Sequence, residues 1–291
     1  MGKILVAGAT GYLGRYAVKA FKEHGYEVRV LVRRPEALNR PGKHGAPPVQ
    51  AYIDEVCQGE VTRPETLRGA CDGVDAVFSS VGITRQKDGL RYRDVDYQGN
   101  LNLLREAEAA GAAKFMYVAV YRGREMPGML NRCKEQFVDQ LKQSRLSSVI
   151  IRPTGYYSDM EEFLQMALKG RVYLIGDGTK RMNPIHGADL ADFCVQGLSR
   201  DNAELDVGGP QVLTHREIAG LAFKAAGKPE RISRIPAFLF RSAIAPLKWF
   251  SPRNYGPVEF LYNALTHDLA APCCGTRDLL SEFKTAVRRR E

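Results

Sequence analysis

The sequence has few of the features that mark membrane-spanning, metal-binding or disulfide-rich proteins. No apolar run approaches the length of about 18 residues that a membrane-spanning helix needs, and the N-terminus does not have the form of a signal peptide. The six cysteines lack the paired spacing of metal sites, and the adjacent Cys273 and Cys274 are poorly placed to bridge each other. We therefore expect reduced thiols, no metal site and a cytoplasmic location.

Acidic side chains are outnumbered by basic ones, 33 to 42, which gives a formal net charge of +9. Such an excess can attract nucleic acid, anionic lipid or a phosphorylated small molecule. Apart from the arginines at 288–290, the basic residues are scattered, and we find no nucleic-acid-binding motif. The composition favours a phosphate-rich small ligand over nucleic acid, with a generally basic surface as the alternative.

The first residues predict a strand, a glycine-rich loop and a helix. An apolar run over residues 3–7 leads into LVAGATGYLG, and an amphipathic pattern then continues to about His24. Glycines at such a turn permit positive φ, close approach of a pyrophosphate and tight packing of helix on strand, while the first-turn N–H groups face the anion. With a second strand at residues 27–32, this unit predicts a dinucleotide site. Its predicted contacts are Gly8, Thr10, Gly11, Tyr12, Leu13 and Gly14.

The GATGYLG motif resembles the extended and atypical branches of the short-chain dehydrogenase/reductase superfamily. The resemblance implies a doubly wound Rossmann-like α/β fold with a parallel sheet of about seven strands. It also implies a cofactor-binding core over residues 1–155. Residues 156–291 would then supply the remaining sheet strand and a small C-terminal substrate lobe, packed on the core as one unit.

Arg33 and Arg34 follow the second strand. NAD-specific folds place an acidic residue near this point to bind the ribose 2′-hydroxyl, whereas NADP-specific folds place arginine against the 2′-phosphate. The pair therefore predicts NADP(H) as cofactor, the alternative being two solvated arginines at a strand end.

Two further strand ends are expected to line the cofactor. The resemblance places Glu60 and Val61, after the third strand, beside the adenine, although aspartate is the usual residue there. Ser80, Val81 and Gly82 follow the fourth strand and are expected to pass under the cofactor. Thr62 and Glu65 are predicted to form a capping box, and residues 84–91 a mobile surface loop.

The catalytic pattern of the superfamily is incomplete in this chain. Most members carry a serine after the fifth strand and a Tyr-x-x-x-Lys motif on the next helix. Here Lys134 is present and is predicted to bind the cofactor and support catalysis, but Leu130 stands at the tyrosine position and Ala119 at the serine position. The chain would then be a reductase with a relocated or substrate-borne proton source, a cofactor-binding sensor, or a degenerate structural relative.

The sixth strand runs into RPTGYY, which in the superfamily leaves the sheet beside the nicotinamide. Pro153, Thr154 and Gly155 are therefore cofactor candidates. Tyr156 and Tyr157 are the nearest phenols that could replace the missing tyrosine, and the alternative for each is ordinary packing with a satisfied hydroxyl.

The C-terminal half resembles the atypical subgroup that contains the divinyl chlorophyllide 8-vinyl reductases, in its GDG turn, its PIHGADLA segment and its GGP. Members generally keep the lysine while lacking the serine and tyrosine. The resemblance implies NADPH-dependent hydride transfer to a C=C or C=O bond of a mostly apolar small molecule. The alternative is a regulatory protein that binds NADP(H) without chemistry.

Local signals complete the C-terminal half. His186 is interpreted as a helix cap, not a catalytic residue, and Thr214 with Glu217 predicts a capping box. Residues 236–257 are rich in aromatic and aliphatic side chains, accompanied by Arg241 and Lys248. This pattern predicts a lid over the cofactor cleft or a weak membrane-surface contact. The sequence specifies neither the substrate nor the oligomeric state.

Overall fold

The structure is a computed structural model that describes residues 2–83 and 89–290. The N-terminal half alternates strands and helices. Its elements are β1 (Lys3–Ala7), α1 (Tyr12–Glu23), β2 (Glu27–Val32), β3 (Glu55–Gln58), β4 (Ala76–Ser79), α2 (Asn100–Ala109), β5 (Lys114–Val118), α3 (Met129–Gln143) and β6 (Ser147–Pro153). A π-helical segment, Arg93–Gly99, leads directly into α2. Short 3₁₀ turns lie at Pro35–Asn39, Lys43–Gly45, Gln50–Tyr52 and Pro64–Leu67.

The C-terminal half contributes more helices and shorter strands. They are α4 (Tyr157–Leu168), β7 (Val172–Ile175), β8 (Arg181–Met182), α5 (Gly187–Gly197), β9 (Ala203–Val207), β10 (Leu213–Thr214), α6 (His215–Ala226) and β11 (Ile232–Ile235). The last elements are α7 (Ala237–Ile244), α8 (Leu247–Phe250), α9 (Pro252–Thr266) and α10 (Leu279–Arg288).

The centre of the described chain is a seven-stranded parallel sheet in the order β3-β2-β1-β4-β5-β6-β9. The predicted Rossmann-like fold is confirmed. Strands β1 to β3 are added towards one edge of the sheet and strands from β4 onwards towards the other, so the strand order switches between β1 and β4. In such sheets ligands bind outside the carboxyl ends of the strands at this switch point. The sheet therefore brings the predicted strand-end residues to one edge.

Helices cover both faces of the sheet. On one face, α1 packs against α5, and its inward side chains, including Val18 and Phe21, meet Val6 and Val30. On the other face, α2 and α3 bury Leu104 and Phe137 against β4 and β5. Both faces are covered, which explains why the central strands are apolar without alternation.

The remaining helices form a lobe around a separate apolar core. Helices α4, α6 and α10 contact one another, with Phe163, Phe223 and Phe283 between them. The capping box of Thr214 and Glu217 at the start of α6 is confirmed. His186 caps α5, as predicted, by accepting a hydrogen bond from the Ala188 N–H at 3.1 Å.

One local prediction is wrong. Thr62 and Glu65 form no capping box, because the turn Pro64–Leu67 begins after Arg63 and has a proline in its first positions. Thr62 instead donates its hydroxyl proton to Glu60 at 3.1 Å. The predicted loop at 84–91 lies largely outside the described residues.

The described residues lack a membrane-spanning helix and a cluster of metal-binding side chains. They contain no helix of sufficient length and apolarity to cross a bilayer. They also contain no cluster of three or more histidine, cysteine, aspartate and glutamate side chains suited to a metal ion.

Candidate functional site

The glycine loop connects β1 to α1 through three glycines with different structural roles. Gly8 has φ of +89°, which favours glycine, and a Cβ on Gly14 would lie 2.0 Å from the Gly8 carbonyl oxygen. A Cβ on Gly11 would meet only that same oxygen, at 3.2 Å, and Gly11 has an ordinary extended conformation. The fold itself therefore requires glycine at positions 8 and 14. At position 11, glycine leaves open space beside the helix terminus.

The N-terminus of α1 is suited to an anion. Gly11 is its N-cap, no side chain in the described chain caps it, and its first turn has no acidic residue. Thr10 and Gly11 are exposed there, whereas Leu13 is buried in the core. The oxygen of Tyr12 accepts a hydrogen bond from the Gly187 N–H at 3.1 Å, so this side chain joins α1 to α5. Thus Thr10 and Gly11 face solvent at the positive end of the helix dipole, while Leu13 and Tyr12 hold the helix in position.

The ends of β2 and β3 carry a cluster of charged side chains. Arg33 and Arg34 are exposed after β2, and Glu60 follows β3. The Arg33 guanidinium lies 3.7 Å from one oxygen of Glu60, and that of Arg63 lies 3.7 Å from the other. Arg33 and Arg63 thus share the carboxylate of Glu60. Val61, next in the chain, faces Gly99, where a Cβ would lie 2.9 Å from the valine side chain.

The loop after β4 is fixed by a buried asparagine. Ser79 Oγ donates to Asn100 Oδ1 at 2.6 Å, and Asn100 Nδ2 donates to the Val81 carbonyl at 3.2 Å. The Ser80 N–H bonds to the Ala7 carbonyl at 3.1 Å, so this loop lies directly beside the glycine loop. A Cβ on Gly8 would lie 2.7 Å from Ser80 Oγ. The structure thus brings the first and fourth strand ends together as predicted from the fold.

The Lys134 side chain, on α3, is 12% exposed and lies in a polar arrangement. Its Nζ lies 3.1 Å from Oδ1 of Asp96, which is fully buried, and donates to the Tyr117 hydroxyl at 3.3 Å. Asp96 also accepts from the Ile83 N–H at 3.2 Å. A Cβ on Gly82 would lie 2.6 Å from Asp96 and 3.0 Å from Lys134. Gly82 therefore separates the ion pair from the exposed side of the loop after β4.

The electrostatics of this group keep Lys134 charged. Burial alone would lower the pKa of Lys134, but the neighbouring Tyr117 and Asp96 outweigh burial and raise that pKa above its ordinary value. Burial raises the pKa of Tyr117 to about 12, so its phenol is neutral at physiological pH. A fixed ammonium is suited to hold hydroxyl groups or to stabilise negative charge.

A second buried ion pair fixes the position of α3. The Arg152 guanidinium, on β6, binds Glu135 through two hydrogen bonds, one of them 2.9 Å long. Glu135 directly follows Lys134 in the chain. The two side chains are both 8% exposed, and each has a second partner: Arg124 lies 3.2 Å from Glu135, and Glu204 lies 2.8 Å from Arg152. This pair holds the helix that carries Lys134 against the sheet.

The two candidate tyrosines have different surroundings. The Tyr157 ring lies in the core of the C-terminal lobe, and its hydroxyl donates to the Arg277 carbonyl at 2.6 Å. Tyr156 is half-buried, and its ring centroid lies 6.0 Å from that of Tyr12 in the glycine-loop region. Burial raises the pKa of Tyr156, and the positive charge of Lys134 partly offsets this effect. Of the two phenols, Tyr156 is the better placed to act in the cleft.

The segment after β6 pairs with the segment before α5. Pro153 is buried, Thr154 Oγ1 donates to the Asn183 carbonyl at 2.6 Å, and the Gly155 carbonyl accepts from the Ile185 N–H at 2.8 Å. A Cβ on Gly155 would lie 2.8 Å from the Met182 side chain. These contacts fix the backbone that leads to Tyr156.

An apolar cluster lies one helical turn from Lys134. Leu130, at the position where the superfamily has tyrosine, packs with Tyr92 and Cys133, and all three are almost fully buried. Ile83 and Phe260 of α9 border this cluster. An open groove of about 530 Å³ runs along the outer side of α3 and contains none of the predicted cofactor contacts. The cluster and the groove meet at Cys133, which belongs to both.

Sequence reasoning missed four side chains of this site. Asp96 and Tyr117 are the partners of Lys134, and Asn100 fixes the loop after β4. Arg15 is buried in α1 and donates to the Ala37 carbonyl at 2.9 Å and the Pro47 carbonyl at 3.1 Å. In the sequence, the available signal for Arg15 was its position directly after the last glycine of the loop. The signal for Asp96 and Asn100 was the VDYQGN motif.

A glycine loop after the first strand of a parallel sheet, with basic side chains after the second strand and a buried lysine at the same edge, defines a dinucleotide-binding protein. The chain belongs to the NAD(P)H-binding family, which matches residues 8–201. The family assignment and the site geometry thus agree on a nicotinamide dinucleotide.

Two known proteins are similar over most of this chain. The photosystem II assembly factor Ycf39 of Synechocystis sp. is 28% identical over 248 residues, covering 82% of this chain and 72% of Ycf39. The chloroplastic divinyl chlorophyllide a 8-vinyl-reductase of Oryza sativa subsp. indica is 29% identical over 257 residues, covering 83% of this chain. This chain spans only 63% of that reductase. The resemblance to the subgroup of these reductases is confirmed.

A solved structure supports the fold. The NADPH-dependent quinone oxidoreductase QOR2 of Escherichia coli, complexed with NADPH, is similar with a TM-score of 0.72, covering 98% of this chain and 99% of that chain. Sequence identity is 17%, so this likeness shows the fold alone.

Proposed function

We propose that the chain is an NADPH-dependent oxidoreductase that transfers a hydride to a C=C or C=O bond of a mostly apolar small molecule. The observation that carries this proposal is the buried Lys134–Asp96 pair, which lies between the glycine-loop edge of the sheet and the apolar cluster around Leu130. Family membership and the name of the rice relative are consistent with it.

The residues of the cleft fit a dinucleotide. Gly11 leaves space at an uncapped helix N-terminus, which is the arrangement that receives a pyrophosphate. The loop of Ser80, Val81 and Gly82 would lie under the cofactor, and Lys134 would hold the nicotinamide ribose. Pro153, Thr154 and Gly155 would border the nicotinamide.

NADP(H) is proposed over NAD(H) because of the charges after β2 and β3. Arg33 and Arg34 follow β2, where NAD-specific folds place an acidic residue, and a guanidinium fork matches the geometry of a phosphate. Glu60 remains a candidate for the adenine side of this corner.

A bound nicotinamide cofactor supplies the hydride, so the chain must manage the negative charge that then develops on the substrate. Lys134 is held charged by Asp96 and provides a fixed positive charge at this end of the cleft. Tyr117 is fully buried behind Lys134 and cannot itself reach a substrate. Tyr156 is the candidate proton donor, with Tyr121 or a water molecule as alternatives. We do not assign Tyr157 this role, because its hydroxyl is engaged by Arg277.

The candidate substrate wall for a mostly apolar molecule is formed by Ile83 and Phe260, which are half-buried at the border of the cluster, whereas Tyr92 and Leu130 are almost fully buried. The rice relative is described as chloroplastic, and the cytoplasmic location predicted for this chain stays a prediction.

The experiment is incubation of the purified protein with NADPH and a metabolite extract, following both NADPH oxidation and the compound that disappears. Lys134→Ala should abolish the reaction, whereas Arg105→Ala, an exposed change on α2, should not alter it. Reduction of an apolar compound supports the proposal. Tight NADPH binding with no compound consumed would refute it.

A regulatory protein that binds NADP(H) without chemistry is the second candidate. The name of the Synechocystis relative, an assembly factor, favours it, and Leu130 and Ala119 at the usual tyrosine and serine positions are compatible with it. A sensor requires only the nucleotide cleft, so mutations in the apolar cluster would leave its function intact. In a reductase, the same mutations would change the Michaelis constant for the substrate.

A further inference from the structure

We infer that the outer surface of helices α7 and α8 docks onto the surface of an anionic lipid bilayer. This α7–α8 surface consists of Phe238, Leu239, Arg241, Lys248, Trp249 and Phe250. Both helices follow β11 and precede α9, which packs against the candidate site.

Large apolar side chains are exposed on this surface. Trp249 and Phe250 are 82% and 88% exposed, and Phe238 and Leu239 are 68% and 51% exposed. The other side of α7 is covered, because Phe240 stacks on Tyr262 of α9 with ring planes 2° apart and Ile244 is buried. The exposed side chains are therefore not an unfolded segment. They form one side of helices that are anchored by the other side. Concentrated apolar exposure of this kind marks an interaction surface.

The charges around these side chains select an anionic partner. Residues 231–258 contain five basic residues and no acidic residue. The five are Arg231, Arg234, Arg241, Lys248 and Arg253. Arg241 and Lys248 are exposed between the aromatic residues. A protein partner of mixed charge would not require that every charged side chain of this segment be basic. The headgroups of an anionic bilayer, by contrast, attract every basic side chain near them.

The combination of side chains is that of an interfacial membrane contact. Tryptophan and phenylalanine enter the boundary between headgroups and acyl chains, while lysine and arginine extend their apolar stems and keep their charges at the headgroups. Two signals together, apolar insertion and a basic patch, give stable but reversible attachment. Because α7 and α8 are short, the contact lies in the plane of the membrane and does not cross it.

The docking surface connects to the candidate substrate wall. Phe260 of α9 borders the cluster of Tyr92 and Leu130, and Asn263 of α9 donates to the Pro127 carbonyl at 2.8 Å, just before α3. Docking would therefore place the apolar end of the cleft near the lipid. Entry of an apolar substrate from the bilayer rests on the proposed function, but the docking itself does not.

The chain contains a single tryptophan, and it lies on this surface. Its fluorescence therefore reports directly on docking without a label. The wild-type protein is titrated, without NADPH or substrate, with vesicles of equal parts phosphatidylcholine and phosphatidylglycerol. We expect a blue shift of the Trp249 emission, quenching by brominated acyl chains, and weaker binding at high salt.

Matched variants test the position and the charge. Phe250→Ser should weaken vesicle binding about tenfold, since it removes one inserted aromatic side chain. The control Val56→Ser changes a residue that is 46% exposed on the edge strand β3 and should have no effect. Arg241→Gln and Lys248→Gln should each weaken binding to anionic vesicles about fivefold.

Several results would overturn the inference. These are an unchanged Trp249 emission with anionic vesicles, equal binding to vesicles of phosphatidylcholine alone, or equal losses in Phe250→Ser and Val56→Ser. An emission shift that depends on protein concentration without vesicles, together with a larger species in sedimentation, would assign the surface to a second copy of the chain. A separate NADPH titration tests the proposed function, so failure of one does not imply failure of the other.

Discussion

The Lys134 ammonium and the Asp96 carboxylate form a buried ion pair with 3.1 Å between Nζ and Oδ1, directly behind the backbone of Gly82. Lys134 comes from α3, and Asp96 from the π-helical segment before α2. Burial raises the pKa of Asp96, and the charge of Lys134 opposes this effect. The pair thus joins two helices at the point where the loop after β4 passes the candidate cofactor.

Replacing Asp96 by asparagine should make cofactor binding sensitive to alkaline pH. Without the carboxylate, less opposes the effect of burial and the pKa of Lys134 falls, so the ammonium loses its proton at a lower pH than in the wild type. NADPH affinity of Asp96→Asn should therefore decrease by about tenfold or more as pH rises, while that of the wild type stays constant. Fluorescence titrations of NADPH across the pH range measure this.

The control for this change is Asp94→Asn, on the same segment, where the carboxylate accepts only from the Arg91 N–H among the contacts of the described chain. Its pH profile should match that of the wild type. If Asp96→Asn also follows the wild-type profile, the ion pair does not control the charge of Lys134.

The fold was predictable because its signals are local. The β1–glycine–α1 unit and β2 follow from glycine spacing and apolar runs, and β2 spans residues 27–32 in both the prediction and the structure. The doubly wound arrangement and the number of sheet strands came from the family resemblance. The apolar pattern of the sequence predicts where strands lie in the chain, but not which strands pair in the sheet.

The partners of Lys134 were not predictable from periodicity. Residues 93–99 form a π-helix, whose wider turn changes which side chains point inward, so a 3.6-residue pattern could not place Asp96. Strand β5 is buried on both faces, so alternation could not show that Tyr117 faces α3 and Met116 the opposite side. Tyr156 and Tyr157 are adjacent in sequence, but Tyr156 packs against the core on the α1 side of the sheet and Tyr157 in the core of the C-terminal lobe.

Gly11→Val should abolish cofactor binding while the fold survives. The new Cβ would meet only the Gly8 carbonyl oxygen among the described residues, but the valine side chain would occupy the space beside the helix N-terminus. We expect a melting temperature close to that of the wild type and no measurable binding of NADPH or NADH. Thermal unfolding and calorimetric titration measure the two effects.

Gly14→Ala is the contrasting variant. Its Cβ would lie 2.0 Å from the Gly8 oxygen, so it should destabilise the fold itself. Unaltered NADPH affinity in a folded Gly11→Val protein would rule out the phosphate-binding role of the loop.

Arg33→Ala should weaken NADPH binding about tenfold and leave NADH binding nearly unchanged, because only NADPH carries the 2′-phosphate. Glu60→Gln should act in the opposite direction and strengthen NADPH binding, since it removes the carboxylate that lies between Arg33 and Arg63. Measured dissociation constants of NADPH and NADH test both variants, with Arg105→Ala as the control. Equal losses for NADPH and NADH in Arg33→Ala would contradict the assignment.

His215 should make the protein less stable in acid. Burial lowers the pKa of His215 to about 4, with a small opposing effect from Asp268. Between the unfolded pKa of about 6.5 and this value, the unfolded chain binds more protons, so stability decreases as pH falls through that range. The full loss is about 3 kcal/mol.

Replacing His215 by leucine should flatten this part of the stability curve. Its ring stacks on Phe163, and neither nitrogen has a hydrogen-bond partner among the described residues, so leucine also removes an unsatisfied polar group. His24→Gln, at an exposed histidine, should leave the curve unchanged. Denaturant unfolding at a series of pH values gives the comparison, and identical slopes in His215→Leu and the wild type would refute the assignment.

Substitutions of the two adjacent tyrosines should have different effects, one on turnover and one on stability, once a substrate is identified. Tyr156→Phe should lower turnover by a factor of about 10² or more with little change in the cofactor dissociation constant, if this phenol donates the proton. Tyr157→Phe should leave turnover unchanged but cost about 1 kcal/mol of unfolding free energy, because its hydroxyl bonds the Arg277 carbonyl at 2.6 Å. Lys134→Ala should change cofactor affinity and turnover together. If Tyr156→Phe and Tyr121→Phe both keep full activity, the proton comes from solvent or from the substrate.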